Sequence, residues 1–172
     1  FMRIEEEIKL DYSDVLFRPK RSTLKSRKDV DLNRKYTFKH SRSSWKGIPI
    51  IASNMDGVGE IDVAKKLSSH KLMTALTKQH DINQIGTIYK KNIFLDSIAL
   101  SCGTSKDSYN RLNSILKKYP KFKFICIDVA NGYSENFSNF VSEVRKKYPK
   151  KTIIAGNAVS YTHLTLPTSA IV

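Results

Sequence analysis

One segment of the sequence returns almost unchanged: Lys117-Lys118-Tyr119-Pro120-Lys121 is followed 29 residues later by Lys146-Lys147-Tyr148-Pro149-Lys150. Ahead of the first copy, Tyr109, Leu112, Ile115, Leu116 and Tyr119 recur at helical spacing; ahead of the second, Phe137, Phe140, Val141, Val144 and Tyr148 do so. Each set marks the apolar face of an amphipathic helix. Cations in the last turn complement the negative end of the helix dipole, and a proline just beyond cannot continue the helix, so each Lys-Tyr-Pro reads as a stop. Thr104-Ser105 and Ser134 are the predicted N-caps.

A short apolar run follows each stop, Phe122 to Ile127 ending at Asp128 and Thr152 to Ala155 ending at Gly156-Asn157. Three earlier runs match them: Ile48 to Ala52 before Ser53-Asn54-Met55-Asp56, Leu72 to Leu76 before Thr77-Lys78, and Ile98 to Leu100 before Ser101-Cys102-Gly103. Continuous apolar character without strict alternation suits strands covered on both faces, so five parallel strands in βα units are expected. Every run ends in residues that hydrogen-bond or carry charge, and ligands of parallel α/β folds bind at the carboxyl ends of the strands. Asp128 and Asn157, 29 residues apart, are expected at equivalent places on a shared rim. The spacing permits a doubly wound open sheet or an eight-stranded barrel. No G-x-G-x-x-G follows the first strand, and Gly57-Val58-Gly59 lacks the third glycine, which weakens the open-sheet reading. The first 45 residues, rich in Arg, Lys and Ser, carry no long helix pattern and read as an extended arm.

Composition narrows the partners. In 172 residues, 40% are hydrophobic and 27% charged, enough apolar surface for one core and too much for global disorder. No apolar stretch approaches the ~20 residues of a membrane span, and Phe1-Met2-Arg3-Ile4-Glu5-Glu6-Glu7 lacks the apolar centre of a secretory signal, so a soluble, cytoplasmic protein with no membrane partner is expected. A net charge of +14 favours anions, although lysine-rich solvated helix faces account for much of it. A nucleic-acid-binding module is the distant alternative; the chain has no RRM, KH or helix-turn-helix pattern, and its aromatics fall on helix cores.

Few side chains offer independent chemistry. Cys102, at a strand end ahead of a helix, could be activated by the helix N-terminus, yet a packed small hydrophobe is the commoner role; Cys126, inside an apolar run, belongs to the core. His40, His70, His80 and His163 show no metal-ligand spacing. Lys78, directly after an apolar strand, is placed at the rim, where it can meet a phosphate or carboxylate as a point charge. Arg18-Pro19-Lys20-Arg21-Ser22 and Lys25-Ser26-Arg27-Lys28 combine guanidinium and hydroxyl donors suited to phosphate.

Taken together, Asp14-Val15-Leu16, Arg18 to Ser22, Leu24-Lys25-Ser26-Arg27, Phe38-Lys39-His40-Ser41, Ile48 to Ala52, Asn54-Met55-Asp56, Ile127 to Glu135 and Ala155-Gly156-Asn157 resemble the N-terminal part of the IMP dehydrogenase/GMP reductase family, on its reductase side. The resemblance implies a (β/α)8 TIM barrel, truncated here after about the fifth strand. It implies NADPH-dependent reductive deamination of GMP to IMP with release of ammonia, in a homotetramer that uses potassium. Carried over by position, Ser26 and Arg27 would meet NADPH from a neighbouring subunit, and Lys78 with Asp128, Val129 and Ala130 would line the cofactor side of the rim. No catalytic residue and no metal ligand is assigned within this chain; the cysteine loop and the cation site are expected beyond it. IMP dehydrogenase is the nearer alternative, disfavoured because only about 20 residues separate Leu76 from Ile98, an ordinary βα connection.

Several positions depart from the family pattern: Thr77-Lys78-Gln79-His80 stands where His-Lys-His-Tyr is usual, and Gly57 stands where threonine is. The barrel part is expected to run over 1–159. Residues 160–172, with no Lys, Arg, Asp or Glu, read as a tail of non-family character arising from a frame change or appended sequence, and Phe1 before Met2 as a frame opening upstream of the natural start. The chain alone is expected to be inactive and unstable.

Overall fold

Trp45 and Phe38, apolar residues in a stretch otherwise crowded with cations, decide what the early chain does. Strands β1 (Arg34–Thr37) and β2 (Ser44–Gly47) pair as an antiparallel hairpin in which Trp45 is buried between the exposed Ser44 and Lys46. The arm expected over the first 45 residues is therefore shorter. A computed structural model describes residue 8 and residues 10–90 and 95–157, and divides the chain into the units Phe1–Asp31 and Leu32–Val172. The hairpin belongs to the second unit. Charged residues on its solvent side mask the period-2 alternation in the sequence. The proposed tail, 160–172, lies outside the described residues.

The first unit holds two single 3-10 turns, Tyr12–Asp14 and Arg27–Asp29. Ser26 caps the second: its side chain accepts from Lys28 N at 3.3 Å while Asp29 Oδ2 accepts from Ser26 N at 3.0 Å.

In the second unit all five apolar runs form strands: β3 (Ile51–Ala52), β4 (Met73–Leu76), β5 (Ile98–Cys102), β6 (Phe124–Ile127) and β7 (Thr152–Ala155). They pair in chain order, every ladder parallel. Helices α1 (Ile61–Ser69), α2 (Ile82–Lys90), α3 (Lys106–Lys118) and α4 (Glu135–Lys147) fill the connections. One core lies between sheet and helices, where Leu76, Leu100, Ile125 and Ile127 share a cluster with Ile85, Leu112, Phe137 and Val144. A smaller one, on the other sheet face, joins Met73, Ala75, Ala99, Phe124 and Cys126 to Trp45 and Phe38. Both faces are covered, which is why the strands read as unbroken apolar runs. Phe38 meets Phe124 edge-on at 5.5 Å, and Ser41 and Ser43 hydroxyls lie 2.7 and 3.0 Å from that of Thr152, so the hairpin seals the end where the strands begin.

The sheet is curled. Neighbouring strands lie about 4.8 Å apart, so in a flat sheet the ends of β3 and β6 would stand roughly 14 Å from each other. Asn54, just past β3, instead donates from Nδ2 to Asp128 Oδ2, just past β6, at 3.0 Å. The five strands form half of a barrel wall.

The 29-residue repeat holds for the helices and slips in the sheet. Ser105 and Ser134 both cap, accepting from Ser108 N at 3.3 Å and Phe137 N at 3.2 Å, and Tyr119 and Tyr148 both end their helices. The ladder, however, pairs Phe124 with Thr152 and Ile127 with Ala155, an offset of 28. The α4–β7 turn is one residue shorter than the α3–β6 turn, so Gly156 stands opposite Asp128 and Asn157 one step beyond. Lys151 crosses between these turns, its ammonium donating to the Pro120 carbonyl and, at 2.5 Å, to that of Phe122.

Candidate functional site

The strand ends converge on one rim. Lys78, carried past β4, reaches Asp128, past β6: its Nζ lies 3.3 Å from Oδ2 and donates to the Asp128 main-chain carbonyl at 3.1 Å. Asp128 is itself tethered to the end of β5, its N–H donating to Cys102 O at 2.9 Å. Gly103 completes that strand end, its N–H donating to Ser108 Oγ in the first turn of α3 at 2.8 Å. Past β7, Asn157 donates from Nδ2 to Val129 O at 2.6 Å, and its carbonyl accepts from Gly132 N at 3.0 Å. Its φ of +61° lies in the left-handed region that asparagine tolerates, which turns the side chain back over the β6 loop.

Lys78, Asp128 and Asn157 are thus gathered at one mouth as the sequence reading expected, with Val129 and Ala130 in the loop between them. Ser26 and Arg27 lie in the N-terminal unit, a separate body, both exposed. A further rim residue, present among the polar ends of the apolar runs but given no role there, is Asn54. The signal was available, because Asn54 ends its apolar run as Asp128 ends its own, but 74 residues separate the two and only the curl of the sheet joins them.

The Lys78 side chain is 41% exposed and that of Asp128 30%, a wet pair of the kind worth about 0–1 kcal/mol. Such a pair opens at little cost. Beside it, Lys78, Gln79, Asp81, Ile82 and Arg111 line a depression of about 480 Å³ between the β4–α2 loop and α3. Arg111 is drawn into it; burial pushes its pKa down, and its Nη2 donates to the His80 carbonyl.

The segment from Thr77 to His80 is braced from below. His80, buried, places Nε2 3.2 Å from Gly59 O and 3.3 Å from Glu60 Oε2. Gly59 O also accepts from Thr77 N at 3.0 Å, which fastens the loop after β3 to the end of β4. Gly57 sits in that loop at φ +76°, a conformation glycine adopts without strain.

Cys102 is no nucleophile. It is fully buried, and desolvation, with the neighbouring Cys126 adding to it, pushes its thiol up to about 12. Cys126 is buried on the other sheet face, its thiol likewise pushed up by burial. Among the described residues no group of three or more His, Cys, Asp or Glu could hold a metal ion, and no helix is long and apolar enough to cross a membrane.

A rim of this kind, on parallel βα units, has known counterparts. A family model described as the IMP dehydrogenase / GMP reductase domain matches residues 9–166. The chain belongs to the IMP dehydrogenase/GMP reductase family. Among family members, a protein named GMP reductase from Citrobacter koseri is 49% identical over 162 residues, covering 92% of this chain and 46% of that one. Its namesake from Escherichia coli O1:K1 / APEC is 48% identical over 161 residues at the same coverage. The chain spans about half the length of the curated relatives it matches. A crystal structure of inosine 5'-monophosphate dehydrogenase from Legionella pneumophila superposes with a TM-score of 0.67 at 21% identity, covering 88% of this chain and 45% of that one. That likeness shows the family's barrel fold, and the curled five-stranded sheet is its half.

Proposed function

We propose that this chain forms the cofactor side of an enzyme that converts GMP to IMP with release of ammonia at the expense of NADPH. The observation that carries the reading is the juxtaposition of Lys78 and Asp128 at one rim, reached from strands two apart, in a chain about half identical to proteins named GMP reductase. An exposed ammonium suits a phosphate or carboxamide oxygen, and a carboxylate suits a hydroxyl. Lys78, Asp128, Val129 and Ala130 would hold NADPH from this side, and the exposed Ser26 and Arg27 would grip it from a neighbouring subunit of a homotetramer. When bound, NADPH supplies the hydride. The nucleophilic cysteine of such a reaction is neither Cys102 nor Cys126, both buried; it and a potassium site belong to the remainder of the barrel in this proposal.

The full-length protein, assayed at 340 nm, is expected to oxidise NADPH when given GMP and to leave NAD unreduced when given IMP. NAD reduction with IMP would make it a dehydrogenase instead. Within that assay, Lys78→Ala is expected to raise the KM for NADPH about tenfold, the loss of one hydrogen bond to a charged partner. A KM unchanged from wild type would remove Lys78 from the cofactor site.

A further inference from the structure

We infer that Asn54 is a positioning residue: its amide holds the Asp128 carboxylate in place so that Lys78 can leave it for a ligand anion. The purpose rests on the cofactor reading of this rim; the geometry does not. Asp128 presents one oxygen, Oδ2, to two donors, Asn54 Nδ2 at 3.0 Å and Lys78 Nζ at 3.3 Å. The second acceptor of Lys78 is the main-chain carbonyl of the same residue, at 3.1 Å. The ammonium is therefore held by Asp128 alone among the described residues, on a flexible four-carbon stem. If Lys78 swung toward a ligand with no Asn54 present, a carboxylate only 30% exposed would lose every side-chain donor it has among the described residues. A carboxylate left with water alone as its partner would draw the lysine back by the small amount that an exposed pair is worth. With Asn54 present one donor stays. A neutral amide achieves this without adding a cation that would compete with Lys78 for the incoming anion, and it shares Oδ2 with the lysine, loosening the pair at rest.

The architecture explains why the residue comes from β3. The curl brings the β3 end over the β6 end, so the donor approaches Asp128 across the mouth while Lys78 arrives from β4 between them. Replacing the amide should therefore alter how tightly Lys78 is held.

The test is the rate of reductive methylation of Lys78 in the ligand-free full-length protein, followed by mass spectrometry against Lys146 as internal reference. Asn54→Ala makes Lys78 the sole side-chain donor to Asp128 and is expected to slow its labelling about threefold, the scale of one exposed ion pair. Asn54→Asp, near-isosteric, adds a second carboxylate and is expected to slow it further; Asn54→Ser keeps a donor and should fall nearer wild type. Asn54→Ala combined with Asp128→Asn should return the rate to wild type or above. Labelling of Lys78 that is unchanged or faster in Asn54→Ala overturns the inference, and if that variant does not fold, an unchanged or faster rate in Asn54→Asp does so. Because no cofactor enters this measurement, its outcome is separate from that of the GMP assay, where Asn54→Ala is expected to raise the NADPH KM several-fold in wild type and not at all in a Lys78→Ala background.

Discussion

Burial decides the chemistry of Cys102. Its thiol is pushed up to about 12 because the thiolate would sit in an apolar cluster beneath α3, so the folded state holds the proton more tightly than the unfolded chain does. The sign follows: this contribution to stability is complete below the unfolded value of 9.0 and is lost as pH rises from there toward about 12. Ellman's reagent at pH 8 is expected to find no reactive thiol until denaturant is added, and Cys102→Ala should flatten the alkaline decline in melting temperature. Prompt reaction of the native protein would return Cys102 to the list of candidate nucleophiles. The reading of Cys102 as packed rested on the usual role of a free cysteine, and the structure supplies the local reason: β5 runs through Cys102, two residues beyond the apolar run that marked it. Lys78 and Asp128 were legible, since a strand followed by a polar residue fixes both where it lies and which way the chain is heading. The contact of Asn54 with Asp128 was not, because which rim residues touch depends on how far the sheet curls, and curl leaves no mark on local sequence. Asn157 was legible as a rim residue and misplaced by one step, because the repeat that predicts it is counted on helix ends, where a turn can shorten without disturbing the pattern.

At the scale of elements, α3 and α4 were the most legible because three independent signals agreed: apolar period, serine cap and Lys-Tyr-Pro stop. The caps are testable one at a time. Ser105→Ala and Ser134→Ala should each cost about 1 kcal/mol in denaturant unfolding, and the double variant close to the sum, since the two caps share no hydrogen bond. A loss within error for either would mean that water replaces the hydroxyl at that end. Gly86 in α2 makes a sharper case. An interior helix glycine exchanged for alanine ordinarily gains about 0.5–1 kcal/mol. Here an added Cβ would stand 2.2 Å from the Tyr119 hydroxyl oxygen and 3.0 Å from the ring carbon bearing it. Tyr119 is buried and packed on Tyr89 at 4.8 Å, so it has little room to yield. Gly86→Ala is therefore expected to destabilise by about 1–2 kcal/mol, and to cost less in a Tyr119→Phe background. A net gain in wild type would show that the ring moves freely. The β1–β2 hairpin was missed on the same physical ground that hides Lys151: composition counted cations and could not tell a solvated lysine from one that caps carbonyls or flanks a buried tryptophan.

For the molecule as a whole, two forces oppose each other. Among the described residues, β3 pairs only with β4 and β7 only with β6, so the half-barrel has two open edges. The β3 edge is also apolar: Ile50 is 56% exposed and Ile51 45%. An edge of this kind templates pairing with another chain. Against it stands a net charge of +14, which repels a second copy. Salt decides between them, because raising ionic strength from 0.01 to 1 M shortens the Debye length from about 30 to about 3 Å while leaving backbone pairing intact. Expressed by itself, the 172-residue chain is expected to sediment as small species at low salt and to associate increasingly as salt is added, at a rate set by protein concentration. Ile51→Lys, which places a charge on the open edge, should suppress that association with little effect on the far-ultraviolet spectrum. A chain that stays monomeric and melts cooperatively at every salt concentration would mean that its edges are already covered. In the full-length protein the remaining βα units would occupy both edges, and the same substitution should then lower stability instead of raising solubility.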